Sequence, residues 1–162
     1  MQHTISVLVS NKFGVLSRIS GLFSGRGFNI ESLNVAETTD PNISRMTIVT
    51  RGDDKKIEQI TKQLNKLIDI IKVIDLTEEN FIDREMILVK MNAEPRVREE
   101  ILRIVEIFRA KVVDVSSSTY TIEITGDQGK IQGFLELLRP LGIKELVRSG
   151  RIAMSRGVKS IN

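Results

Sequence analysis

Hydrophobic and polar positions alternate at the start of the chain and then change to a helical spacing. Across residues 4–10, Ile5, Val7 and Val9 fall on one side of an extended chain, which predicts a half-buried strand. The next apolar residues share one face of a helix: Val15, Leu16, Ile19, Leu22 and Phe23. Gly25 and Gly27 follow and predict its end, because glycine readily adopts the positive φ that terminates helices.

The rest of the first half continues the pattern with three strands and one helix. Strands are predicted over residues 30–38, 44–50 and 70–76, and the first two are separated by the turn sequence Asp40-Pro41-Asn42. Asp53 or Asp54 can cap the helix, whose inward face is Ile57, Ile60, Leu64, Leu67 and Ile68. The order is βαββαβ, a split β-α-β unit of ferredoxin-like type.

The second half repeats this order without visible sequence similarity. Strands are predicted over residues 86–91, 111–115, 120–125 and 143–147. Glu94-Pro95 and Gly126-Asp127 open two helices, and Pro140 with Gly142 is expected to break the second. The fold class is therefore α+β, with tandem ferredoxin-like βαββαβ domains over residues 1–77 and 85–162 and a linker over 78–84.

The end of the chain is basic and permits two interpretations. Arg148, Arg151, Arg156 and Lys159 have no acidic residue between them, and Ile152, Met154 and Val158 lie among them. The segment is either a frayed, solvated terminus, as is common at chain ends, or a segment that orders against a partner.

Composition is typical of a globular protein and narrows the possible chemistry. Among 162 residues, 41% are hydrophobic and 28% charged, and the net charge of +3 arises in the second half. No apolar run approaches the roughly 20 residues of a membrane span, and no signal peptide is indicated. The chain has no cysteine and a single histidine, His3, which excludes thiolate chemistry and a histidine triad within one chain. A cytoplasmic location fits this usage.

Three other functional patterns fail on inspection. The glycines at Gly25 and Gly27 follow a helix, whereas a dinucleotide fingerprint precedes one. The adjacent carboxylates Asp53 and Asp54 point in different directions and fit a helix cap better than an acid–base pair. Aromatic residues make up 4% of the chain, too few for a sheet that stacks RNA bases.

Gly14 and Asn29 frame the first helix and suggest a small-molecule site. Without a Cβ at Gly14, the unpaired N–H groups of the first helical turn stay accessible, and the helix dipole favours a carboxylate there. Asn29 supplies an amide donor and acceptor just after the helix. On local pattern alone, a surface turn, a core helix and a turn asparagine explain the same residues.

Several separated motifs resemble one family. NKFGVLSR (residues 11–18), GLFSGRGFNIESL (21–33) and SRMTI (44–48) resemble the ACT domain of the regulatory, or small, subunits of acetohydroxyacid synthase, also called acetolactate synthase. REMILVK (84–90), IFRA (107–110), RSG (148–150) and SRG (155–157) continue the resemblance in the second half. The motifs fall in order over nearly the whole chain.

The resemblance implies a non-catalytic regulatory subunit. Such subunits bind and activate a separate catalytic subunit that depends on thiamine diphosphate, and they confer feedback inhibition by branched-chain amino acids, chiefly valine. Thiamine diphosphate, Mg²⁺ and FAD are expected in that partner and none in this chain. The resemblance also implies a homodimer through the ACT domains, with effector sites at their interface. From the composition and the apolar runs, no contact with nucleic acid or membrane is expected.

Residue by residue, the resemblance carries the effector site to the first half of the chain. Asn11, Gly14 and Asn29 match the valine-contacting motif, and the neighbours expected to line the site are Val15, Leu16 and Ile30.

The alternative function is a free-standing ACT-type amino-acid sensor that regulates another partner. An enzyme in its own right is disfavoured, because no nucleophile, metal set or cofactor loop is present.

Overall fold

A computed structural model describes all residues from Met1 to Asn162 and divides them into two compact units. The first unit comprises Met1–Ile82 together with Arg151–Asn162, and the second is Asp83–Gly150. Each unit has its own antiparallel sheet, helices and hydrophobic core, so the predicted α+β fold with tandem βαββαβ order is confirmed. None of the helices is long and apolar enough to span a membrane.

The first unit contains a four-stranded sheet and two helices. Its elements are β1 (Gln2–Ser10), α1 (Val15–Gly25), β2 (Ile30–Glu37), β3 (Ile43–Arg51), α2 (Asp54–Asn65) and β4 (Ile70–Asp75). The strand order is β2-β3-β1-β4, which leaves β2 and β4 as the edges. Apolar side chains of α1 and α2 pack on one face of the sheet, with the ring of Phe23 fully buried among them.

The second unit repeats the arrangement with its own elements. They are β5 (Phe81–Asn92), α3 (Pro95–Ile107), β6 (Lys111–Val115), β7 (Thr119–Gly126), α4 (Gln128–Gly142) and β8 (Ile143–Arg148), and the strand order is β6-β7-β5-β8. Its core centres on Phe134, whose ring meets that of Phe108 edge to face at 5.3 Å between centroids. A short last strand, β9 (Ile152–Ser155), pairs with β5, whose first two residues belong to the first unit.

Two details at glycine and proline differ from the sequence prediction. Gly27 has the expected positive φ of 75°. Gly25 was also expected to have a positive φ, but it does not, and it is the last residue of α1. Pro140 lies inside α4, and the helix ends at Gly142, whose φ is 100°. Pro140 is exposed, and the one intrahelical bond that its missing N–H removes lies in the last turn of α4.

The chain division also differs from the predicted one at both boundaries. Strand β5 begins at Phe81, so only residues 76–80 lie between strands, not a linker over 78–84. Residues 151–162 belong to the first unit, whereas they were predicted as the tail of the second domain. The physical reason is a set of hydrogen bonds that join Arg151 and Ala153 to residues of β2 and β3.

Strand β1 is buried on both faces, not on one. Besides Ile5, Val7 and Val9, the alternate residues Ser6 and Leu8 are buried, and only the two end residues are partly exposed. A strand in the middle of a sheet can have a covered second face, and polar side chains there need hydrogen-bond partners. Ser6 has one, because its hydroxyl accepts a hydrogen bond from Nε of Arg45 at 3.0 Å.

His3 lies between two carboxylates at the beginning of β1. Its Nδ1 is 2.8 Å from Oδ2 of Asp75, and its Nε2 is 3.3 Å from Oδ1 of Asp54. His3 is 4% exposed, so its ring both fills space and partners the Asp75 carboxylate. The single histidine is therefore part of the structure of the first unit.

Replacing His3 with alanine is expected to destabilise the first unit by about 2 kcal/mol, because it opens a cavity and removes a partner of Asp75. The urea midpoint of that unit, followed by circular dichroism, measures the effect. Lys62→Ala, which removes only an exposed ion pair with Glu58, is the control and should leave the midpoint almost unchanged. Equal midpoints for both variants would contradict this role of His3.

Candidate functional site

The amino-terminal end of α1 has no side-chain cap. Gly14 stands at the N-cap position with a φ of 82°, a left-handed conformation that favours glycine, and no side chain accepts a hydrogen bond from the first turn. The prediction that Gly14 opens the helix is confirmed. N–H groups of a helix start that lack a cap are available to an anion, and the dipole adds partial positive charge.

Asn11 fixes the loop that leads into this helix start. Its backbone N–H donates to the carbonyl of Asn42 at 2.7 Å, and its side-chain amide donates to the carbonyl of Pro41 at 2.9 Å. The same amide donates to Oε1 of Glu37 at 3.2 Å. Asn11 therefore ties the end of β1 to the turn between β2 and β3, so its amide nitrogen already has protein partners.

Arg18 adds a positive charge at the same end of α1, and the sequence analysis did not identify it. Its guanidinium pairs with the buried carboxylate of Asp69, and its Nη1 lies 3.6 Å from the position that a Cβ on Gly14 would take. Asp69 is also fixed through its backbone carbonyl, which accepts from the N–H of Ser10 at 2.8 Å. The signal in the sequence was weak, because Arg18 falls on the polar face of the helix like any solvated arginine.

Asn29 and Ile30 lie at the opposite end of α1. The backbone carbonyl of Asn29 accepts a hydrogen bond from the hydroxyl of Thr50 at 2.7 Å. Asn29 itself is exposed to solvent. Ile30 pairs with Thr50 in the β2–β3 register and packs against the core of the first unit. The Asn29 amide is therefore held in place by its backbone and is open to solvent.

Glu31 forms a charged cluster beside Asn29. Gln2 donates to its Oε2 at 2.8 Å, and Arg51 pairs with its other oxygen. Burial raises the pKa of the Glu31 carboxyl, but these hydrogen bonds and the charges of Arg51 and Arg151 outweigh it and hold the pKa below its ordinary value. The carboxylate is ionised at neutral pH.

One chain does not bring all the predicted site residues together. At one end of β3, Ser44 pairs with Glu37, whose side chain accepts from Asn11; at the other end, six positions away, Thr50 pairs with Ile30. Six residues of strand span about 20 Å. Asn11 and Gly14 therefore form one group of residues, the Gly14 half-site, and Asn29 and Ile30 form another, the Asn29 half-site.

The remaining predicted residues differ in what they can offer a ligand. The Val15 side chain is 4% exposed and packs in the core, and its backbone N–H donates to the carbonyl of Lys12 at 3.5 Å. Leu16 is 44% exposed and can contact an apolar ligand. The predicted effector contacts of all six residues stay a prediction.

The first unit, with its βαββαβ order and a glycine-opened first helix, is an ACT domain. A sequence-family model described as an AHAS small subunit-like ACT domain matches residues 5–72. A second family model, for the small subunit of acetolactate synthase, matches residues 84–157. The chain belongs to the family of acetolactate synthase small subunits. The resemblance noted in the sequence is thereby confirmed.

Individual relatives match over almost the full length. A probable acetolactate synthase small subunit of Archaeoglobus fulgidus is 55% identical over 98% of this chain and 99% of its own. The acetolactate synthase small subunit of Aquifex aeolicus is 55% identical over 96% of this chain and 81% of its own. The crystal structure of the small subunit from Thermotoga maritima superposes with a TM-score of 0.86 at 43% identity, covering 97% of this chain and 98% of that one.

Proposed function

We propose that this chain binds and activates the thiamine-diphosphate-dependent catalytic subunit of acetolactate synthase and makes it sensitive to inhibition by valine. The observation that carries the proposal is the uncapped helix start at Gly14, with Arg18 beside it, in the ACT domain of a small-subunit family member. Thiamine diphosphate, Mg²⁺ and FAD belong to the catalytic partner in this proposal. The proposed location is the cytoplasm.

The proposed effector site is shared between two copies of the chain. Strand β2 is an edge of its sheet, so its outer backbone groups can pair with a second β2. Antiparallel pairing about a two-fold axis sets the Glu37 end of one β2 against the Ile30 end of the other. That geometry brings the Gly14 half-site of one chain beside the Asn29 half-site of its partner, and each dimer has two such sites.

The chemistry of the two half-sites complements the two ends of an amino acid. The first-turn N–H groups and Arg18 attract the carboxylate, and charge-assisted hydrogen bonds of this kind contribute about 1.5–3 kcal/mol each. The Asn29 carbonyl oxygen, with nearby backbone carbonyls, accepts from the ammonium group. Leu16 and Ile30 offer apolar contact for a branched side chain. Leucine and isoleucine differ from valine by one methylene, which changes affinity by only about 1–3 kcal/mol.

Inhibition in this proposal is a coupling free energy between two sites. Valine lowers the activity of the complex only if it binds the low-activity arrangement more tightly than the active one. A site formed between two chains is suited to this, because its geometry changes whenever the two ACT domains shift relative to each other.

The purified chain alone is expected to produce no acetolactate from pyruvate, whereas its addition to the catalytic subunit should raise the rate, and valine should reduce it again. The assay is acetolactate formation with the catalytic subunit alone, the chain alone and the mixture, each across a valine titration. Valine binding to the chain without any change in synthase activity would favour the free-standing sensor. Turnover by the chain alone would identify it as an enzyme and overturn the proposal.

A further inference from the structure

The last residues of the first unit cross the face of its sheet that is opposite to α1 and α2. The N–H of Arg151 donates to the hydroxyl of Ser32 at 2.9 Å, and the side-chain amide of Asn34 donates to the carbonyl of Arg151 at 3.1 Å. Two residues further on, Nη2 of Arg45 donates to the carbonyl of Ala153 at 3.1 Å. Ala153 itself is 7% exposed.

This segment contacts β2 and β3 between the two half-sites. Ser32 lies two residues after Ile30 on β2, so Arg151 is fixed near the Asn29 half-site. Nε of the same Arg45 donates to the Ser6 hydroxyl, and Ser6 pairs with Thr47 in the middle of β3, so Ala153 is fixed over the middle of the sheet. Residues 151–153 therefore cross the sheet from the edge strand β2 over β3 towards β1.

Arg45 is the strongest anchor of the segment. Its side chain is partly buried and pairs with no carboxylate; its hydrogen bonds go to the Ser6 hydroxyl and the Ala153 carbonyl. Burial lowers the pKa of this guanidinium from its ordinary value, as is expected for a charge that loses water without gaining an opposite charge. Loss of the Ala153 carbonyl would leave a desolvated charge with one fewer partner.

We propose that residues 151–155 act as a strap that sets the affinity of the proposed effector site, with Arg45 as the positioning residue that holds the strap on β3. The inference rests on the proposed function, because it concerns how the two half-sites are held. When the strap is docked, it ties β2 through Ser32 and Asn34 to β3 through Arg45, and the half-sites at the two ends of these strands keep their spacing. When it is released, β2 and β3 gain freedom that an effector must remove on binding.

Reciprocity gives the proposal a quantitative form. If valine favours the docked strap by some factor, then complete release of the strap weakens valine binding by the same factor. A purely structural role for Arg45 predicts lower stability without such a match. The two quantities are therefore measured on the same full-length samples: the valine dissociation constant by calorimetry, and hydrogen exchange of peptides that cover residues 149–162.

For the wild-type chain, valine is expected to slow exchange in these peptides by at least about fivefold, the lower end of typical coupling between sites. Arg45→Met is expected to speed exchange there and to weaken valine binding, by at most the factor by which valine slows exchange in the wild-type chain. Arg45→Lys keeps one donor for the Ala153 carbonyl and should restore part of both effects. Arg103→Met, which removes an exposed pair with Glu100 in the second unit, is the matched control and should change neither.

The outcomes separate this proposal from the one on which it rests. A wild-type chain that binds no valine overturns both. Wild-type binding without any change in exchange over residues 149–162, or an Arg45→Met variant whose valine affinity stays within about twofold of wild type, overturns the strap alone. If Arg45→Met fails to fold, the valine-dependent exchange of the wild-type chain still decides the question.

Discussion

Replacing Gly14 with aspartate is expected to abolish the valine response of the reconstituted synthase while leaving its activation intact. The new carboxylate would stand at the helix start beside Arg18, so it would crowd the place proposed for the effector carboxylate and repel that group. The half-inhibitory valine concentration should rise by at least about a hundredfold, equivalent to about 2.7 kcal/mol. Acetolactate formation across a valine titration measures it.

The φ of 82° at Gly14 requires a control that the sequence did not suggest. Aspartate at an N-cap normally has an extended φ, so Asp at position 14 would not adopt the usual cap geometry. A left-handed residue with a Cβ costs about 1–2 kcal/mol. Gly14→Ala carries the same strain without the carboxylate, so it should share the lower melting temperature and still respond to valine. If alanine and aspartate abolish the response equally, strain alone explains the loss.

A mixed dimer of two inactive variants is expected to recover valine binding. In a Gly14→Asp homodimer every site has a defective Gly14 half, and in an Asn29→Ala homodimer every site has a defective Asn29 half. In the mixed dimer one site receives both defects and the other receives neither, because a two-fold axis exchanges the halves. Dimers purified through two different affinity tags should therefore bind valine at one site each, with affinity close to that of wild type.

Calorimetry of the mixed dimer reads out the number of sites directly. Each parent homodimer serves as its own control and should bind no valine at the concentrations that saturate wild type. If the mixed dimer also binds none, Gly14 and Asn29 do not act in one shared site, and the pairing of β2 strands proposed above is wrong.

The order of elements was predictable because each element has a strong period. The apolar faces of α1 and α2 and the caps at Asp53 and Asp127 are local features, and both aspartates accept from a backbone N–H three residues on, as expected. The failures involve long-range contacts. Nothing local to Thr4 or Ser6 indicates that a segment about 150 residues away covers the second face of the sheet, so β1 was predicted to be exposed on one side.

In the candidate site, too, the features that depend on long-range contacts could not be predicted from the sequence. Gly14 and Asn29 were identifiable because they flank the first helix, whose start has no Cβ, and Asn11 followed from the motif resemblance. Arg18 was missed, since its partner Asp69 lies on a distant turn and both look like ordinary surface residues in the sequence. The separation of the two half-sites within one chain depends on strand register, which the amino-acid pattern does not specify on its own.

The first unit is interrupted in sequence, which gives the second unit a role in chain entropy. The 68 residues of Asp83–Gly150 form a loop inserted between Ile82 and the strap. If that loop were unfolded, closing it would cost on the order of 4 kcal/mol. In the folded second unit its two ends are already adjacent, because the N–H of Ser149 donates to the carbonyl of Met86 at 2.9 Å and Arg148 pairs with Glu85. A folded second unit therefore raises the local concentration of the strap at the sheet face on which it docks. A substitution that unfolds the second unit would weaken this docking without changing any residue of either half-site.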